Sequence, residues 1–131
     1  MRSRESLLRL HRFRTEEKRR QVADIDGMIQ DFMRKYDDLD AQVKFEEGRT
    51  GIADPAHFNY SMAAKAARGR RDNLMRSIGE LKDQLNDAQS ALADEEKELR
   101  RAELLIEKEG GTVVPVAAGP SSAMLGVVPA R

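Results

Sequence analysis

Two histidines, His11 and His57, and runs of neighbouring carboxylates such as Asp94-Glu95-Glu96 are the side chains here with the chemistry for proton transfer or metal binding. Such groups become a catalytic site only when they converge in a dry, concave pocket. No cysteine is present, so there is no thiolate nucleophile, no disulfide framework and no thiolate metal site, and a reducing cytosol suits the chain. Gly48 and Gly51 lack the following Lys-Ser/Thr that a phosphate-cradling loop requires. What these residues can do depends on the elements that hold them.

Those elements are long helices. Val22, Ile25, Ile29, Phe32, Tyr36, Leu39 and Val43 recur at alternating spacings of three and four, which is a heptad seam. Carried backward, the same register meets Lys18, Thr15, His11 and Leu8, so the seam turns polar toward the N-terminus. A second run passes through Leu74, Ile78, Leu81, Leu85, Ala88, Leu92, Glu95, Leu99, Ala102 and Ile106, with Glu95 its single charged member. Charged residues are 35% of the chain and aromatics 5%, which fits paired helices better than a globular core.

The segment GRTGIADPAHFNY, residues 48–60, separates the two runs. Gly48 fits the glycine just past a helix end. Asp54-Pro55 fits an N-cap followed by proline at the first helical position. The reading is an all-α chain: a long two-helix antiparallel coiled-coil hairpin over 1–109 with a flexible C-terminal tail. Helix one is expected at about 3–47, the tip loop at about 48–58 and helix two at about 59–109. The Gly/Pro/Ala/Val-rich residues 110–131 form the tail.

Charge patterning supports the antiparallel choice. Residues 1–20 hold eight Arg/Lys and three Asp/Glu, and residues 21–47 hold three and eight. Residues 48–76 hold six and two, and residues 77–109 hold five and ten. Folding the chain near residue 54 sets residue i beside residue 108 − i, so each block meets one of opposite sign. Parallel self-association in register would oppose like charges. His11 and His57 then sit at opposite ends of the rod and cannot share a metal or relay a proton. The expectation is a chain that is not an enzyme, with no metal and no cofactor. With 23 basic and 23 acidic residues, no nucleic-acid partner is expected. No apolar run approaches the roughly 20 residues that span a bilayer, so membrane contact is at most peripheral.

Two regions stand out. At the open end, where both termini lie, Leu7, Leu8, Leu10 and Phe13 face Leu99, Leu104, Leu105 and Ile106. That is more apolar surface than a two-stranded seam uses, and the excess marks either a partner site or overpacking that guards the end against fraying. Arg2, Arg4, Arg9, Arg12 and Arg14 crowd the same end against Glu103, Glu107 and Glu109. At the tip, Ile52, Pro55, His57, Phe58 and Tyr60 gather near Phe45 and Arg49, either to close the core at the turn or to form a recognition surface. Gly27, Gly69 and Gly79 fall inside predicted helix, marking either tolerated surface positions or places of close approach.

The blocks SRESLLRLHRFRTEEKRRQVADID (3–26) and RTGIADPAHFNYSMAAKAARGRRDNL (49–74) resemble the flagellar export protein FliJ family in its alphaproteobacterial form. The resemblance covers roughly residues 1–108, and the tip block is its specific part. It implies a hairpin similar to the stalk of rotary ATPases, acting in the flagellar type III export apparatus. The open end would enter the pore of a hexameric export ATPase, and the region near the tip would meet a membrane-embedded export gate. Export chaperones are further partners it implies, and hydrolysis belongs to the ATPase. By position along the rod, Leu7, Arg9, Leu10, Arg12, Phe13, Leu104 and Leu105 are assigned to the ATPase contact. Tyr36, Asp54, Phe58 and Tyr60 are assigned to the gate. The expected location is cytoplasmic, peripheral at the inner-membrane face of the flagellar basal body, with a monomeric hairpin on its own. Two other readings are a homodimeric coiled-coil scaffold and a basic amphipathic membrane-surface adaptor working through residues 1–20.

Overall fold

The structure is a computed structural model that describes residues 2–109; the expected tail lies outside the described residues. Helix α1 runs Arg2–Thr50 and helix α2 runs Met62–Lys108. They pack side by side as one hairpin. At about 1.5 Å rise per residue the rod is roughly 70 Å long.

The heptad register accounts for the packing along its whole length. Lettering the repeat so that Leu8, Ile29 and Val43 occupy a, every a and d side chain from Leu8 to Thr50 is buried or half-buried. The same holds from Tyr60 to Ile106 on α2. Ile29, Ile78 and Leu81 form the central core, with Ile25, Phe32, Tyr36 and Leu85 packed against it. Each such aliphatic side chain contributes about 1.5–3 kcal/mol on burial. Nearer the tip the α2 seam narrows to Ala64 and Ala67, both fully covered.

Opposite charges meet as the block pattern requires. Arg4 pairs with Glu109, Arg12 with Glu103 and Arg19 with Glu96. Closer to the tip Arg71 reaches Asp40 at 2.9 Å and Arg68 reaches Glu47 at 3.8 Å.

Both helix ends at the tip differ from expectation. α1 passes through Gly48 and ends two residues later, at Thr50. Gly51 is the residue with positive φ (73°), and its N–H donates to the Glu47 carbonyl at 2.9 Å, closing the left-handed cap. The extra turn is held from across the hairpin. The Tyr60 hydroxyl donates to Glu47 at 2.6 Å and the Ser61 hydroxyl donates to Glu46 at 3.1 Å. Asp54 does not cap α2. Its carboxylate accepts the Ala56 N–H and its carbonyl accepts the His57 N–H, both at 3.0 Å, which makes a turn. The His57 carbonyl then accepts the Tyr60 N–H at 3.0 Å, a second turn. Ser61 is the N-cap, accepting the Ala64 N–H at 3.1 Å. The tip is therefore residues 51–61 rather than 48–58. Gly27, Gly69 and Gly79 face open space, so no packing within the chain requires them.

Candidate interaction surfaces at the two ends

The open end is built by the first three turns of α1 and the last three of α2. Leu8 and Ala102 fill the seam there. The remaining apolar side chains point outward: Leu7 is 43% exposed, Leu10 41%, Phe13 58%, Leu104 57% and Leu105 43%. Register fixes their directions. Leu7 and Leu105 occupy g on the two helices, which in an antiparallel pair is the same flank. Leu10 is at c, the next position outward on that flank. Phe13 and Leu104 are at f, about half a turn from the seam, so they point away from each other on the two outer faces.

The opposite flank is closed by charge. Arg12, Arg19, Glu96 and Glu103 all occupy e, and they pair across the hairpin. Burial pushes the Glu103 carboxyl above its ordinary value, against the pull of Arg12 and Arg100. Arg9 is exposed and its guanidinium donates to Ser6. The sequence assignments at this end therefore fall on two flanks. Leu7, Leu10, Phe13, Leu104 and Leu105 share the outward apolar surface, while Arg12 is engaged with Glu103.

One step inward the seam is polar. His11 and Glu95, both at d, meet at 2.7 Å, and the buried Thr15 hydroxyl donates to the His11 carbonyl at 2.7 Å. A shallow groove of about 360 Å³ opens beside this layer, lined by Arg14, Glu17, Lys18, Gln21 and Glu95. Another of about 400 Å³ lies one turn further on, over Val22, Leu85 and Leu92. His11 and Glu95 were each legible as exceptions to their seams. The 108 − i relation places 11 opposite 97, so it also carried the signal for their meeting.

The tip loop holds Phe58 outward. Phe58 is 90% exposed and stacks on His57 with ring centroids 4.9 Å apart. The loop beneath is pinned: the Asn59 N–H donates to His57 Nδ1 at 3.0 Å, and Asp54 holds the turn before it. Tyr60 is only 7% exposed and is part of the seam. Burial first, then Glu47, raises its hydroxyl pKa. Exposed Met62 and Phe45 flank the loop. Tyr36, a heptad-seam residue also assigned with these residues from sequence, packs against the central core about 20 Å from the end of α1. Asp54 and Phe58 are together; Tyr36 is apart from them. Exposed Met28, Met33 and Met75 along the shaft escaped the sequence reading, because single methionines at e and g do not disturb the heptad count.

Among the described residues no group of three or more His, Asp or Glu is placed to hold a metal ion, and no helix is long and apolar enough to cross a membrane. No protein-family model, no curated protein and no solved structure matches this chain.

Proposed function

We propose that this chain is the coiled-coil stalk of a bacterial flagellar type III export apparatus, linking the hexameric export ATPase to the membrane-embedded export gate. The observation that carries this reading is the distribution of apolar side chains at one end of an otherwise charged rod. Leu7 and Leu105 occupy one flank, and Phe13 and Leu104 occupy opposite outer faces. A flat partner reaches one of these surfaces at a time; a ring that encloses the end reaches them together. The resemblance of residues 3–26 and 49–74 to FliJ supplies the identity of the ring.

In this reading the rod acts without chemistry of its own. It couples a cytoplasmic motor to a gate at the inner-membrane face of the basal body, and so serves flagellum assembly and motility. The pinned tip offers Phe58 to the gate, with Asp54 shaping the loop beneath it. Export chaperones are further partners. The test is ATP turnover by the cognate export ATPase with and without this protein. Stimulation is expected, and Leu10→Asp with Phe13→Asp should abolish it. Unchanged stimulation by that variant would overturn the assignment of the open end.

A further inference from the structure

We infer that the open end is keyed: its partner closes on the g flank and the two outer faces and leaves the e flank uncovered, so the same flank of the rod always lies against the subunits that hold it. The inference rests on the export-ATPase reading for the identity of the partner, and it specifies which surface of the end that partner covers.

The two sides of the end differ in both polarity and charge. On the g, c and f positions lie the five exposed apolar side chains together with exposed Arg14, Lys97, Arg101 and Lys108. The one carboxylate among them between residues 97 and 108 is Glu98, and Arg101 holds it. This surface is apolar with a net positive rim. On the e flank, Arg12 faces Glu103 at 4.0 Å and Arg19 faces Glu96 at 3.4 Å, and exposed Arg9 and Arg100 at b are matched by exposed Glu5 and Glu107 beside them, so this side carries no exposed large apolar side chain and little net charge. A partner gains little there, because covering a flank of balanced charges removes water from them without burying apolar surface.

The complementary wall carries apolar side chains with carboxylates opposite Arg14, Lys97 and Lys108. An anionic membrane offers similar chemistry but is flat. It cannot cover Phe13 and Leu104 together, because they point in opposite directions. The observations therefore favour an enclosing protein.

The chain has no cysteine, so single-cysteine variants label cleanly. Leu7→Cys, Phe13→Cys and Leu104→Cys report the covered surfaces; Glu5→Cys and Glu107→Cys report the e side at the same depth. Each full-length variant is mixed with the cognate export ATPase, and the rate of maleimide labelling is compared with that of the free protein. Labelling at residues 7, 13 and 104 should slow by about tenfold or more, as for groups in the water-excluded part of an interface. Labelling at residues 5 and 107 should stay within about twofold of the free rate. Equal protection on all sides would overturn keying while leaving the ATPase reading intact, and so would protection on only one face. Equal protection at residues 7, 13 and 104 by vesicles of anionic phospholipid alone would overturn the protein-sleeve argument. Absence of any complex between the wild-type protein and the ATPase would overturn the export reading and this inference with it.

Discussion

Glu95 and His11 stand 84 positions apart in the chain, yet Glu95 Oε2 and His11 Nδ1 lie 2.7 Å apart within the seam. Each is the polar exception in its own heptad run, and each is the other's partner. A half-buried polar layer of this kind stabilises little by itself but penalises the loss of either member. Glu95→Ala should cost about 1–3 kcal/mol, because it strands the imidazole. Replacing both by leucine should match or exceed the wild type, as apolar replacements of buried ion pairs do. Urea midpoints of His11→Leu, Glu95→Leu and the double leucine variant decide this; a double variant weaker than both singles would contradict it.

The seam itself was fully legible in sequence, because alternating spacings of three and four over many turns leave no other reading. The tip was legible in place but not in detail. Gly48 and Asp54-Pro55 carry correct local cap chemistry. They lose to Gly51 and Ser61, because Glu46 and Glu47 gain partners across the hairpin when α1 runs one turn longer. That is a tertiary contact, invisible to a local motif. Tyr36 packs at the seam position that the heptad spacing gives it, and an aromatic there reads the same in sequence whether it serves the core alone or a partner as well.

The two glycines near the end of α1 should respond with opposite signs. Gly48 lies inside the helix with open space around it, so Gly48→Ala should stabilise by about 0.5–1 kcal/mol. Gly51 has φ 73°, where an alanine Cβ meets the following carbonyl, so Gly51→Ala should destabilise by about 1–2 kcal/mol. Thermal unfolding of both variants reads the difference. The same sign for both would refute the left-handed cap at Gly51.

Acid should weaken the hairpin through the tip-side carboxylates and spare it at Glu103. Lys44 first, then Arg71, hold the Asp40 carboxyl below its ordinary 3.8. Arg49 first, then Ser61, hold Glu46 below its ordinary 4.5. A carboxyl lowered on folding stabilises fully above its unfolded value, and that stability is lost as pH falls through the folded value. Glu103 is raised by burial, so its sign is reversed: the folded state takes up its proton first, and its contribution improves as pH falls. Stability measured from pH 7 to pH 2 should show the gap between wild type and Asp40→Asn closing below about 3.8. Over the same range the wild type should gain on Glu103→Gln. At the alkaline end, Tyr60 is raised above its ordinary 10.0 by burial, so its contribution is complete below 10.0 and lost above it. Tyr60→Phe should remove that alkaline loss.

In solution the chain should run as a monomer of 14.8 kDa, because the hairpin already satisfies its own seam and pairs its own charge blocks. Light scattering at micromolar concentration checks this. A doubled mass would favour the homodimeric scaffold.

Stability and recognition should separate cleanly between Leu81 and Phe58. Leu81 sits in the central core with Ile29 and Ile78, where no flexible loop can collapse into a void. Leu81→Ala should therefore cost about 2–5 kcal/mol and lower the melting temperature markedly. Phe58 is 90% exposed and touches the chain mainly through the ring of His57. Its removal leaves no cavity, so Phe58→Ala should shift stability by no more than about 0.5 kcal/mol. An aromatic held on a pinned loop and kept out of the core stabilises a complex instead, so the same substitution should weaken binding to the export gate by about tenfold or more. Melting curves and gate-binding titrations on the two variants test the pair together. A large stability loss from Phe58→Ala would mean that the ring supports the loop, and its assignment to recognition would fall.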